Sequence, residues 1–487
     1  MVGGVNSLTQ RLRILTCSIM KSPSTPNRRQ FLAASASTGA GLLFLPSGTL
    51  FGQNRPGNRL NIALIGCWGR ATAHFNMLEQ ENVVALCDVN SKALAAAGQK
   101  FPKAKQYKDW RKCLDQKDLD AVVCCTPDHH HAFISIWAMN RGLHVYGEKP
   151  LANTVEEARM VRETYLENRN KVATQCGTQR HFDPNFAYIR ELIREGAIGE
   201  LQDVHAWGDR YHNKKSYPMA TGSAPDFIDW DLWVGPSQKR PFSSDYFTAL
   251  NWRTGEKTHS YFETDSAKWP RGSNCLSWNM YREFGNWQIG DMGSHTMDLA
   301  FNPLDADYPI SAQAEGEAYN PDVAPSRMSS SCINPANDWR GKIRVSWHQG
   351  GNMPKSPLSY VDVTKIGHGA LFKGTKGFIV ADFKTRTVIP YGKSADLSYY
   401  DSSKIEVPEK KVANFGEEWT NACKTDLKTS CNFDYSGVLI EQLLLGAVAY
   451  DVGEKIDYNA KKMEVTNSPE ANRLLRKEYR KGWALNG

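Results

Sequence analysis

The chain has 487 residues, 41% hydrophobic and 23% charged, a globular composition too long for one ordinary core and therefore expected to form two domains. Its net charge of +7 resides at the N-terminus: residues 1–59 hold Arg11, Arg13, Lys21, Arg28, Arg29, Arg55 and Arg59 and no acid, and the remainder carries 52 charges of each sign. A neutral body offers no electrostatic footprint for DNA or RNA, so nucleic acid is excluded as an expected partner.

The first feature in chain order is Asn27-Arg28-Arg29-Gln30-Phe31-Leu32, two arginines directly before an uncharged stretch, Phe31 to Pro46, rich in Ala, Gly and Leu. It resembles the twin-arginine export signal, which implies the export machinery as a partner and a periplasmic or otherwise exported location. The 16-residue run is shorter than the about 20 residues that span a bilayer, and a retained anchor is the alternative to cleavage. No A-x-A site follows, and Met20 is an alternative start because residues 1–19 add nothing to the signal. No later segment is long and apolar enough to span a membrane.

A Pro/Gly/Asn-rich linker, Gln53 to Asn58, leads into an apolar strand, Leu60 to Ile65, and the turn Gly66-Cys67-Trp68-Gly69-Arg70-Ala71. A helical segment through Leu78 and a second strand, Val83 to Cys87, end at Asp88, 22 residues after Gly66. This order is the dinucleotide-binding βαβ unit: glycines admit the pyrophosphate, a helix N-terminus complements its charge, and the acid bonds the ribose hydroxyls. A carboxylate there repels a 2′-phosphate, which favours NAD over NADP. Trp68 occupies the middle glycine position; its indole either crowds the pyrophosphate or is relieved by Gly69.

Leu119 to Cys125 reads as a buried parallel strand ending in Thr126-Pro127-Asp128-His129-His130-His131. Three adjacent histidines point in different directions in a loop, so no metal site is expected. A helix from Ala132 to Arg141 leads to His144-Val145-Tyr146 and Gly147-Glu148-Lys149-Pro150; a helix from Val155 to Asn168 and a strand from Val172 to Gln175 follow. Beyond Gly177, strand-like runs cover Leu201 to Trp207, Ile310 to Ala318, Lys342 to His348, Ala370 to Phe372 and Gly377 to Ala381. Asp229-Trp230-Asp231-Leu232-Trp233-Val234-Gly235-Pro236 reads as a structural loop, and the polar insert between Arg253 and Phe284 as a lid or rim. Eleven cysteines form no CxxC pair and are expected in the core, with Cys423 and Cys431 a weak candidate disulfide. Asp291 and His295, four residues apart in Gly290-Asp291-Met292-Gly293-Ser294-His295, share one face of a helix.

The glycine turn, the Thr-Pro-Asp-His-x-His loop and Glu148-Lys149-Pro150 resemble the Gfo/Idh/MocA oxidoreductases, most specifically in the tripeptide. The resemblance implies an α/β Rossmann doubly wound parallel sheet (59–178, after a signal and linker over 1–58). It also implies an α+β domain with an open, mainly antiparallel sheet (179–487) for substrate binding and homo-oligomerisation. Lys149, Asp291 and His295 match the family's catalytic residues. Gly66, Trp68, Gly69, Arg70, Ala71, Asp88, Thr126, Pro127, His131, Glu148 and Lys149 are expected at the cofactor, and Gln179, Arg180, Trp207, Arg253 and Trp287 at a carbohydrate substrate. Neutral imidazole can accept a hydroxyl proton, and a fixed ammonium stabilises the alkoxide. Three functions fit: an NAD-dependent oxidoreductase acting on CH–OH of a sugar, polyol or glycoside; an NAD-recycling glycosidase or epimerase; and a carbohydrate-binding homologue without chemistry.

Overall fold

The computed structural model describes residues 58–210, 214–250, 257–260, 277–358, 361–392, 407 and 412–486. The export signal and the substrate candidate Arg253 lie outside these residues. Among the described residues no helix is long and apolar enough to cross a membrane.

Six short strands form a wholly parallel sheet: β1 (Asn61–Ile65), β2 (Asn82–Cys87), β3 (Lys105–Tyr107), β4 (Ala121–Cys124), β5 (His144–Gly147) and β6 (Thr174–Cys176). Their order, β3-β2-β1-β4-β5-β6, reverses direction at β1/β4, the switch point where doubly wound sheets bind nucleotides. The strands read as continuous apolar runs because both faces are covered. Ala63, Ile65, Val122 and Cys124 pack towards the helices His131–Asn140 and Val155–Asn168, and Ile62, Leu64, Ala121 and Val123 fill the opposite layer.

That opposite layer contains Phe415, Trp419 and Ala422 from the helix Phe415–Lys424, contributed by the far end of the chain. Glu418 accepts from Gln175 (2.8 Å), and Ala484 accepts from the Trp137 indole (3.1 Å). The second half of the chain thus closes back over the first.

The second sheet has nine strands: β7 (Leu201–Gly208), β10 (Ser311–Gly316), β11 (Met328–Asn334), β12 (Ile343–Gln349), β13 (His368–Gly374), β14 (Gly377–Ala381), β15 (Arg386–Pro390), β16 (Ile456–Asn459) and β17 (Glu464–Val465). Between them in sequence, β8 (Thr248–Leu250) and β9 (Lys257–Ser260) make a separate hairpin. The order is β15-β14-β13-β7-β12-β11-β10-β16-β17, antiparallel except for β7 and β12. The helices Trp287–Phe301 and Phe433–Val452 lie on one face, against Val204, Ala206 and Trp347. On the other face Trp207, Leu371, Phe378 and Val380 meet Val363 and Ile366.

All cysteines among the described residues are free, including Cys423 and Cys431, so the weak candidate disulfide is absent. Most are buried, as small apolar residues would be.

Candidate active site

The floor of the first cleft is the turn after β1. Gly66 has φ +79°, and a Cβ there would lie 2.6 Å from the Cys125 carbonyl, so only glycine allows β1 and β4 to end this close. Asp88 ties the turn together: its two carboxylate oxygens accept from the Cys67 and Asn90 amides, each at 2.8 Å. Trp68 turns its indole edge-on to Phe75, with centroids 5.9 Å apart, and Gly69 at φ +64° carries the chain into a helical turn. The indole therefore stands at the side of the cleft rather than filling it.

A cleft opens over this turn. Gly66, Trp68, Gly69, Arg70, Asp88, Thr126 and Pro127 line it. Ala71 does not: it is fully buried beneath the turn. His131 does not either; its ring nitrogens face the carbonyls of Pro150 (2.7 Å) and Thr126 (2.8 Å), so it braces the two loops.

The opposite wall comes from Ile228, Leu232, Trp233, Phe247 and Trp278. Phe227–Asp229 pairs with the turn after β2: Ser91 donates to the Phe227 carbonyl (2.8 Å) and Asp229 to that of Val89 (3.0 Å). Asp229 caps the helix Trp230–Val234, and the Trp233 carbonyl accepts from both His129 Nε2 (2.8 Å) and His130 Nε2 (2.9 Å). Gly235 is obligatory here, because a Cβ would fall 2.1 Å from the His130 ring at φ +55°. The segment read from sequence as a structural loop is a roof over the cleft, and two of the three adjacent histidines hold it.

At the inner end Glu148 accepts from Arg70 Nε (2.7 Å) and His74 Nε2 (2.8 Å). Burial opposes its ionisation, but the Arg70 guanidinium and His74 overcome this and hold the carboxyl far below its ordinary value. Gly177 makes room for it, since a Cβ would meet Glu148 Oε2 at 2.7 Å.

The next residue in sequence, Lys149, pairs with Asp291 on the helix Trp287–Phe301. Gly290 permits the approach: a Cβ there would already sit 3.1 Å from the Pro150 ring. Arg210, at the end of β7, donates to the second oxygen of Asp291 (2.7 Å). Burial disfavours the charge on Asp291, yet the two cations keep its carboxyl well below the usual range. Asp291 in turn raises Lys149 against the opposing effect of burial. His295, one turn along, is pushed down to about 3 by burial and then by Lys149, so it is a neutral imidazole whose Nδ1 has no protein partner. Asp298 continues the same face and accepts from Tyr435 (2.6 Å) and His181 (2.8 Å), anchoring the helix.

Other sequence-predicted residues divide. Arg180 is exposed beside Asp183 (3.7 Å) and over the Phe383 ring, and Gln179 keeps a buried side-chain oxygen without a protein partner. Trp207 is not at the site: it is fully buried on the opposite face of the sheet and donates to the Ile366 carbonyl (2.6 Å). Trp287 is likewise core, packed with Met280 and Ala324. The sequence reading passed over His74, His368 and the roof. Only the glycine preceding His368 and Gly235 in the loop hinted that backbones come close there.

Residues 60–176 match the model of the GFO_IDH_MocA oxidoreductase family, described as an NAD-binding Rossmann fold. Inositol 2-dehydrogenase of Salmonella typhimurium is 30% identical over 144 residues, 29% of this chain and 42% of that protein. A glycosyl hydrolase family 109 protein of Stenotrophomonas maltophilia is 30% identical over 229 residues, 43% of this chain and 47% of that protein. The chain thus spans less than half the length of these relatives. The solved WlbA dehydrogenase from Bordetella pertussis, in complex with NADH and UDP-GlcNAcA, superposes with a TM-score of 0.54 at 16% identity, covering 82% of this chain and 99% of that one. A levoglucosan dehydrogenase in complex with NADH and levoglucosan gives 0.51 at 17% identity, covering 82% and 99%. At such identities the likeness establishes the fold.

Proposed function

We propose that this protein is an NAD-dependent oxidoreductase that moves a hydride between a nicotinamide and the hydroxyl-bearing carbon of a sugar, polyol or related glycoside. The observation that carries this reading is the meeting of Lys149 and Asp291, 142 residues apart, beside the neutral imidazole of His295. The matched family and the dehydrogenases among the relatives support it. The fit to a dinucleotide rests on the glycine turn, the displaced Trp68 indole and Asp88 at the cleft edge; NAD would be held there, with NADP disfavoured by the carboxylate.

The nucleotide would supply the hydride acceptor or donor. The protein's own residues do the rest. Lys149 Nζ stabilises negative charge on the substrate oxygen, and His295 takes or returns the hydroxyl proton. Asp291, kept ionised by Lys149 and Arg210, fixes the ammonium. Glu148, clamped by Arg70 and His74, sets the backbone from which Lys149 projects. The test is cofactor reduction measured by absorbance across a panel of sugars and polyols, together with nucleotide assay of heat-denatured protein. No reduction with any compound and no nucleotide bound would overturn the reading.

A second reading, in which NAD stays bound and is recycled within a glycosidase or epimerase turnover, is favoured by the roof, which walls the cleft opposite its glycine floor. The similarity over 229 residues to a glycosyl hydrolase family 109 protein points the same way. Aryl-glycoside cleavage without net NADH separates it from simple dehydrogenation. The convergence at Lys149 argues against a binding module without chemistry.

The Arg28-Arg29 signal supports export by the twin-arginine route, and an exported enzyme gains from a cofactor it does not release. The resemblance also supports a homo-oligomer, which light scattering tests.

A further inference from the structure

We propose that His181, Asp298 and Cys431 form a binding site for a thiophilic divalent cation of the Zn2+ class, on the helix that also carries Asp291 and His295. The inference goes beyond the oxidoreductase reading and does not depend on it.

Three separate elements deliver the ligands. His181 sits in the short helical turn Gln179–Phe182 after β6, Asp298 on the helix Trp287–Phe301, and Cys431 just ahead of the helix Phe433–Val452. An imidazole nitrogen, a carboxylate oxygen and the thiol sulfur all lie within 4.8 Å of one another. His181 Nδ1 and Asp298 Oδ1 are 2.8 Å apart. Two ligands each about 2.0–2.1 Å from one zinc ion stand about 3 Å apart, so this pair needs almost no movement. The sulfur, bonded at about 2.3 Å, has little more than about 1 Å to close.

The charge balance asks for a cation. Asp298 is fully buried, and among the described residues its one ion-pair partner is the His181 imidazole. Its Oδ2 is buried without any hydrogen-bond partner in the protein. A buried carboxylate with no Lys or Arg beside it is expensive, and a dication bonded to it removes that cost.

The surroundings suit metal ligands. Thr178 Oγ1 donates to Cys431 Sγ (3.3 Å), and the Tyr435 hydroxyl donates to Asp298 Oδ1 (2.6 Å). Donors placed in this way orient a thiolate and a carboxylate for ligation. A mixed nitrogen, oxygen and sulfur set selects a borderline-soft ion over Mg2+ or Ca2+, which take oxygen. His181 and Tyr435 also line a small cavity with Ser430 and Asn302, from which water can fill the fourth position. Binding releases the Cys431 thiol proton to solvent. Asp298 lies one helical turn beyond His295, and Gln179 and Arg180 share the turn of His181. The ion therefore ties the helix of the proposed proton-transfer residue to the loop after β6, and its role is to hold rather than to react.

The test strips the full chain with a chelator and adds Co2+ or Zn2+ alone. One Co2+ per chain should bind with the near-ultraviolet charge-transfer band of a thiolate ligand, and Zn2+ should displace it. Cys431→Ser should abolish the band, and His181→Gln should weaken Zn2+ binding by about 100-fold. Zn2+ should raise the melting temperature of the parent but not of Cys431→Ser, whose circular dichroism shows whether it folds. If that variant does not fold, His181→Gln decides through its affinity loss. No Co2+ binding by the parent, a band that survives Cys431→Ser, or unchanged Zn2+ affinity in His181→Gln overturns the proposal. None of these measurements needs a substrate or a nucleotide, so failure here leaves the oxidoreductase reading intact.

Discussion

Arg70, in the glycine turn, and Glu148, immediately before Lys149, form an ion pair 2.7 Å long that joins the floor of the cleft to the strand end that carries the Lys149–Asp291 pair. Glu148 is almost wholly buried and shares His74 as a second donor. Removing the carboxylate leaves a guanidinium without its main partner. Glu148→Ala is expected to destabilise the protein by about 3 kcal/mol, read by urea unfolding, and to raise KM for the nucleotide. A stability unchanged within error would show the pair to be incidental.

Lys149→Ala and His295→Ala are each expected to slow turnover by about 10²–10⁴-fold while nucleotide still binds, because neither side chain lines the main cleft. Single-turnover kinetics and nucleotide fluorescence check the two halves separately. Near-parent rates in both variants would remove them from the chemistry.

Asp88→Asn discards the negative charge and keeps an acceptor for only one of the Cys67 and Asn90 amides, its NH2 facing the other. The Kd for NADP should fall by about tenfold or more relative to NAD, since one charge contact is worth roughly 1–2 kcal/mol in a partly buried site. Titration calorimetry with both nucleotides decides it.

Gly235→Ala places a methyl group into the His130 ring and should lift the roof. Faster nucleotide release in stopped-flow experiments is the expected consequence, with little change in the parallel sheet. A release rate equal to the parent's would mean that the roof does not retain the cofactor.

Burial holds His130 neutral, from an ordinary 6.5 down to about 4, while its Nδ1 accepts from the Trp110 indole and its Nε2–H bonds Trp233. Between those values the unfolded chain binds the proton more readily than the folded one, so stability is full above pH 6.5 and falls as the pH drops. The loss is about 1 kcal/mol by pH 5.5. Thermal melts should fall over this window, and His130→Gln should flatten the slope.

The parallel half was legible because its strands are apolar runs broken by glycine turns, and the Asp291–His295 pair because helical spacing puts both on one face. Other parts were not. β11 escaped because its inward positions include Ser330 and Asn334, both buried but polar, which hides the alternation. Trp207 and Trp287 were ambiguous between stacking surface and core filler, which look the same in one dimension, and both are core. The roof was invisible because its partners, Val89–Ser91, precede it by more than a hundred positions. The same separation hid the pairing of Arg210 with Asp291, which lies on another element.

Ser91 and Phe227 are 136 residues apart, which gives assembly of this molecule a direction in time. The ribosome completes the glycine turn well before it has made the strap that covers it. A nascent chain therefore presents the glycine turn before the segment that will face it has been made.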